Sequence, residues 1–519
     1  MNDRELIADR APGFDEVVRA LAGAYDVQSP ERRETDQVHL DTFDGLLRTA
    51  GLGLVHEDGR LCLYQRESGD RVEEALLAPA PRAPVPGREL PEGALREAVL
   101  AVIEDRALLP LAYVSLRAET IRVLDPLQKT VVRLELLTPS LAGERRRPTP
   151  LSARVRLHAI RGYEDDLRRA QKLLEGVLRL SPSSTPLDDE AIVASGATPG
   201  GTSSKIEVPM RADERSDMAV ARVLRRLLEV MDANLPGAIA DIDPEFLHDY
   251  RVSVRRTRSV QREMHRVFRT DELDQMRQEF KWLQLITGEA RDLDVYVLGF
   301  ESMRKLVPKS MRGDLEPLLV ALGHRRAAAH RRMGWELRSD RARALRSNWE
   351  MVLHGMEHRF DGDRPDAGKP IGEVASRRIV KVYRRMLKMG GGIERAGGVE
   401  SPPEDYHELR KKGKELRYLL ELFGQPLHDA DVVKPMIKRL KDLQDVLGHH
   451  QDREVQMGML RELRDEVASL PDGPQALMAM GVLMGRLEED AASTRAQFAE
   501  RFAAFGAKEQ RRLVEDTFS

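Results

Sequence analysis

The stretch PEFLHDYRVSVRRTRS, residues 244–259, holds His248, Arg251, Arg255, Arg256 and Arg258 against only two acids, Glu245 and Asp249. Asp243 in front of it can cap a helix whose first position is Pro244. At 100° per residue, the offsets 0, 3, 7 and 10 place His248, Arg251, Arg255 and Arg258 within an arc of roughly 80°. Tyr250, Val254, Val260 and Met264 fall on the other side. The segment therefore predicts a helix anchored by an apolar stripe, presenting a row of cations roughly 15 Å long at 1.5 Å per residue.

The row occurs twice. In YHELRKKGKELRYLLELF, residues 406–423, His407, Arg410, Lys414 and Arg417 repeat the same offsets at a shift of 159, with Leu409, Leu416, Leu419, Leu420 and Phe423 as the apolar stripe. Ser401, Pro402 and Glu404 predict a capping box at its start. Downstream, KWLQLITGEARDLDV from Lys281 aligns with KDLQDVLGHHQDREV from Lys441, matching Gln284 with Gln444, Gly288 with Gly448 and Asp292 with Asp452 at a shift of 160. Such a duplication predicts two consecutive four-helix bundles related by a pseudo-twofold, the first over about 212–360 and the second over about 371–515. A solvated helix face mixes Glu and Lys in i,i+4 pairs, which these rows largely lack. His324 and His330, in an Arg-rich helix, are expected to extend the basic surface.

Outward from the repeats, 181–209 is rich in Ser, Pro, Thr and Gly and reads as a flexible linker. Before it, residues 1–180 show alternating or β-branched stretches such as GRLCLYQRE, KTVVRLELL and SARVRLHAI, with helical segments at about 92–105 and 163–178. The fold class expected is thus a multidomain chain, α+β first and then an all-α region over 210–519. A net charge of −3 denies the chain any overall attraction for polyanions, so such attraction must come from locally concentrated charge. The single cysteine, Cys62, excludes an intramolecular disulfide framework and any multi-cysteine zinc site, in keeping with a reducing cytoplasm. The acidic start MNDRELIADRAPGFDEV does not read as a signal peptide, and no apolar run approaches a membrane span.

The paired helices, with the two LxxxxGxxxD segments in order, resemble the CHAD family of polyphosphate-binding helical domains over about 212–515. Carried over position by position, the resemblance implies ligand contacts at His248, Arg251, Arg255, Arg256, Arg258, His407, Arg410, Lys414 and Arg417. It also adds Lys281 and Lys441, and more weakly Arg222, Arg225, Arg378 and Lys381. Glu415 stands where the first copy has Arg256, so the halves need not contribute equally. Residues 1–180 resemble the CYTH superfamily of triphosphate tunnel enzymes through LDTFDGLLRTAGLGL, GRLCLYQR, VVRLELL and RVRLHAIRGYEDDLRRAQKLLEG, which implies a β-barrel. The pattern is incomplete. Where the family carries ExExK, this chain has Glu5, Ile7 and Asp9, and Val55 and His56 stand where paired arginines belong. A degenerate, non-catalytic barrel is expected, with no cofactor and no metal.

Inorganic polyphosphate is the expected partner, since arginine forks engage two phosphate oxygens at once and lysine adds a point charge. Nucleic acid is not expected: apart from Tyr250 and Tyr418 the basic segments lack aromatics to stack on bases, and the chain is only 5% aromatic. Attachment to polyphosphate granules follows as an expectation. The rival readings are a metal-dependent triphosphatase or polyphosphate hydrolase using the barrel, and a nucleic-acid-binding scaffold.

Overall fold

Alternation of buried and open residues builds the long strands Ala107–Leu124 and Thr130–Leu141, around which the first half of the computed structural model is organised. The structure describes residues 4–8, 10–142, 148–183, 185–358, 364–396 and 401–518, without the side chains of 4, 403, 450, 451, 492 and 494–496. Asp9 of the expected metal set therefore lies outside the described residues. The chain divides into two compact units, 1–203 and 204–519.

In the first unit the strands pair antiparallel along one path. It runs from Ser181–Pro182 through Arg4–Ala8, Ala153–Ala159, Thr130–Leu141, Ala107–Leu124, Glu31–Asp41, Leu52–Glu57 and Arg60–Gln65 to Arg71–Leu76. Among the described residues its two end strands do not pair with each other, so the hydrogen bonds describe an open sheet where a closed barrel was expected. One face carries Leu6, Ala8, Val132, Leu134, Leu136, Val155 and Leu157, and the helices Phe14–Leu21 and Glu164–Leu178 bury it. Residues alternating with these point the other way. Glu5, Arg156 and Glu135 stand in register on three neighbouring strands.

The linker expectation requires correction over 181–203. Asp188, Asp189 and Glu190, three consecutive acids at the start of the helix Leu187–Ala194, are each held by an arginine of the sheet region. Arg66 bonds both Asp188 and Asp189, Arg48 bonds Asp189, and the fully buried Arg154 donates to Glu190 at 2.5 Å. Ser183 donates to the Glu5 carbonyl and Thr202 to the Phe43 carbonyl. Composition predicted flexibility because Ser, Pro and Gly bury little apolar surface, but ion pairing fixes this segment instead.

The regular elements described in the second unit are helices, apart from an isolated bridge between Arg215 and Pro370. The first repeat runs Ser216–Ala240, Pro244–Glu263, Thr270–Ile286, Gly288–Arg304, Glu316–Leu337 and Asp340–His358. The second runs Ile371–Arg395, Pro403–Leu419 with a π turn to Gly424, Ala430–Ala468, Gly473–Phe505 and Lys508–Phe518. At the shift of 160 the single helix Ala430–Ala468 corresponds to the pair Thr270–Ile286 and Gly288–Arg304, so the repeats differ by one break, at Thr287. With that broken pair counted as one, each repeat has, among the described residues, a fifth long helix beyond the expected four. In the first, this helix is anchored by the fully buried Trp349 against Phe268 and Phe280.

Asp243 caps the first basic helix as its sequence predicts, accepting from the Glu245 and Phe246 amides at 3.0 and 3.2 Å. The capping box at Ser401 does not form. Pro402 occupies the cap position, and the Ser401 hydroxyl donates to the Ile393 carbonyl at 3.1 Å. No helix is long and apolar enough to cross a membrane among the described residues.

Candidate polyanion-binding site

The row on Pro244–Glu263 is sunken rather than displayed. Arg251 is only 8% exposed, and its Nη1 donates to the Gln284 carbonyl at 2.9 Å and the Thr287 hydroxyl at 2.8 Å. Those acceptors lie in the last turn of Thr270–Ile286, so the helix break at Thr287 gives Arg251 a helix carboxyl end, where a cation is favoured. Arg258 bonds the Gln284 side chain. At the start of the row, Arg291 donates to Nδ1 of His248 at 2.8 Å.

The second row repeats part of this pattern. Arg417 donates to the Gln444 side chain at 3.1 Å, the counterpart of Arg258 on Gln284. A Cβ added at Gly288 would lie 3.8 Å from the Arg251 guanidinium, and one at Gly448 would lie 3.5 Å from that of Arg410. The repeated glutamine and glycine of the LxxxxGxxxD segments thus mark where the second row's and first row's arginines rest. With no helix break in the second repeat, Arg410 turns to Asp452 instead, at 3.2 Å.

The two basic helices meet antiparallel through a pair of ion pairs with exchanged charge. Arg256 donates to Glu421 at 2.9 Å, and Arg262 bonds Glu415. At the shift of 159, Arg256 corresponds to Glu415 and Arg262 to Glu421, so one pseudo-twofold contact is made twice with its signs reversed. This accounts for Glu415, only 4% exposed, at the place of Arg256. Arg256, expected as a ligand contact, has its guanidinium engaged between the repeats and lies 5.7 Å from the Tyr418 ring centroid.

Where the rows approach each other the cations outnumber the acids. Burial pushes the Lys414 ammonium down to about 8, and repulsion from Arg410, Arg255 and Arg417 adds to the effect. Arg251 is lowered to about 10 by burial and then by Arg255. Burial also lowers Arg258, with Arg262 contributing. The opposing carboxylates among the described residues are Asp292, Asp452 and Glu421, the last 3.4 Å from Nε of Arg417. Asp292 is open to water yet ringed by protein, which raises its pKa against the pull of Arg251, Arg255 and Arg291. The buried Nε groups of Arg251 and Arg255 have no acceptor among the described residues. Uncompensated buried cations and unused donors of this kind suit a multiply charged oxyanion.

The remaining predicted residues are distributed as follows. Lys281 and Lys441 are exposed, one turn before Gln284 and Gln444. His407 is exposed at the start of its row. Arg222 is held by Glu214 at 2.6 Å and Arg225 by Glu357 at 2.6 Å. Arg378 is buried and reaches His265 at 3.4 Å, beyond the end of the first row. Lys381 is exposed beside Arg384 and Glu515. His330 does not extend a basic surface; it is buried, 2.8 Å from Asp294 and 3.3 Å from Asp241. Sequence reasoning missed Arg291, Thr287 and Arg262, and it saw Gln284 and Gln444 only as repeat markers.

In the first unit, Glu5 accepts from Arg154 and from Arg156, the latter at 2.9 Å. Glu135 lies 3.1 Å from His158, which holds its carboxyl below the usual range. Glu5 of the incomplete metal set and its neighbour Glu135 thus both have basic partners.

Residues 222–461 match the family model of the CHAD domain. Uncharacterized proteins of Mycobacterium tuberculosis, from strains CDC 1551 / Oshkosh and H37Rv, are 30% identical over 216 residues. That match covers 40% of this chain and 38% of each relative, so the chain spans well under half the length of the curated relatives it matches. Among solved structures, the CHAD domain from the plant Ricinus communis aligns over 60% of this chain and 96% of its own, with TM-score 0.46 and 23% identity. PptA from Streptomyces chartreusis aligns over 56% and 99%, with TM-score 0.43 and 16% identity.

Proposed function

We propose, from the premise that residues 222–461 are a CHAD domain, that this protein binds inorganic polyphosphate along the two cationic rows of its helical unit. The family is associated with polyphosphate in general. The observation that carries the proposal for this chain is the crowding of Arg251, Arg255, Arg258, Arg410, Lys414 and Arg417 around fewer carboxylates, Asp292, Asp452 and Glu421 among the described residues, at a cost in burial that a bound polyanion would offset. The rows are roughly 15 Å each, so end to end they give a track of roughly 30 Å. A flexible chain of phosphates can follow such a track without bases to stack. Binding would attach the protein to polyphosphate or its granules.

The first unit is proposed as a CYTH-like relative without hydrolase activity. Supporting this, Glu5 and Glu135 are committed to Arg154, Arg156 and His158, and Arg48, Arg66 and Arg154 are neutralised by the acids of 188–190.

The test is a binding titration of the intact protein with long polyphosphate and with single-stranded RNA of matched charge, across salt concentrations. The expected result is preference for polyphosphate and a steep fall of log affinity with log salt, as counterions are released from a dense polyanion. Equal or tighter binding of RNA would replace this reading with a nucleic-acid one.

A further inference from the structure

Three groups of histidine and carboxylate side chains among the described residues bring possible metal ligands within 4.8 Å of one another. At Asp241, Asp294 and His330 a cation is already present: Arg326 donates to Asp294 at 2.7 Å and to Asp241 at 2.9 Å. At Glu245, His248 and Asp249, Arg291 donates to the imidazole. The third group, His354, Glu357 and His358 in the last turn of Asp340–His358, is arranged differently. Among the described residues its one guanidinium, Arg225, touches the carboxylate and neither imidazole.

We propose that His354, Glu357 and His358 form a binding site for a divalent transition metal of the zinc class. The histidines are one helical turn apart and exposed, with ring centroids 4.1 Å apart and planes 25° from parallel. The Nδ1–H of His358 donates to the His354 carbonyl at 3.0 Å, which fixes the tautomer and leaves Nε2 with a lone pair for metal. Arg225 holds Glu357 from the far side through Nε at 3.3 Å and Nη2 at 2.6 Å, orienting the carboxylate while each oxygen retains an unused lone pair. Two imidazoles and a carboxylate are a known zinc-ligand set that leaves a fourth position for water. They suit zinc, nickel or copper better than magnesium or calcium, which prefer oxygen alone. Ligand atoms about 3.4 Å apart are needed around a tetrahedral ion with bonds near 2.1 Å, a distance that small side-chain rotations reach. The position at a helix carboxyl end favours a cation as well.

The site is independent of the polyphosphate rows and is tested without polyphosphate. Zn²⁺ titration of the intact protein by calorimetry, with Co²⁺ visible absorption to report coordination geometry, is compared with H354A, H358A, E357Q and the double variant H354A/H358A. One equivalent bound by the wild type, at least a tenfold loss of affinity in each histidine variant, and a metal-dependent rise in Tm confined to the wild type are expected. Because both histidines are exposed, the metal-free variants should melt as the wild type does. Absence of Zn²⁺ binding by the wild type, or wild-type affinity in H354A/H358A, overturns the proposal.

Discussion

Lys414 concentrates the electrostatic character of the site in one side chain. Its ammonium, held down to about 8 by burial and by Arg410, Arg255 and Arg417, binds fewer protons folded than unfolded. Folding stability therefore rises with pH between about 8 and 10.5 and is lowest below about 8, where the cation is fully charged. A bound polyanion reverses the balance by favouring the charged form. Affinity for long polyphosphate should fall as pH rises from 7 to 9, with proton uptake on binding, and Lys414→Arg should flatten that dependence; calorimetry in buffers of different ionisation enthalpy measures both. Lys414→Met should raise stability at pH 7 by on the order of 1 kcal/mol while lowering polyphosphate affinity, the mark of a residue kept for binding at the expense of folding. At this scale the sequence shows which residues share a helix face, but not how deep they lie. Arg251 reads as a surface cation until the carboxyl end of Thr270–Ile286 is seen to receive it.

Between elements, the contact between the two basic helices rests on Arg256 with Glu421 and Arg262 with Glu415. An identical repeat would have set arginine against arginine or glutamate against glutamate at both places. Charge reversal by Glu415→Arg alone should cost about 3 kcal/mol, because a cation is then placed at a buried position against Arg262 and Lys412. Adding Arg262→Glu should recover most of the loss, and urea unfolding of the two singles and the double gives the coupling directly. The repeat itself was legible from the sequence, since the shift of 159 appears in the spacing of histidine and cations. The exchanged pairs were not, because Glu415 looks like an interruption of a row until its partner is known. Nor was the anchoring of 187–194, where low apolar content signalled flexibility and three acids meeting three arginines supplied order instead.

As a whole molecule, the protein combines an antiparallel sheet unit and a helical unit, and composition alone separated them because period-two and 3.6-residue patterns are hard to confuse over such lengths. The closed barrel implied by resemblance was not legible in strand patterns, which fix faces but not whether the end strands meet. Fragments 1–203 and 204–519 should differ completely in a polyphosphate pull-down, with only the second retained, and the intact chain should release no phosphate from tripolyphosphate with Mg²⁺ or Mn²⁺. The central claim is that both rows act together on one ligand, so that long chains gain from simultaneous engagement. It is tested by measuring affinity for polyphosphates of increasing length with the wild type and with two triple variants, Arg251, Arg255 and Arg258 to Glu, and Arg410, Lys414 and Arg417 to Glu, each checked for a wild-type helical spectrum. The account predicts that wild-type affinity climbs with chain length and that either variant loses far more affinity for long chains than for short ones. Equal affinity for short and long chains in the wild type, or wild-type binding by either folded variant, would contradict it.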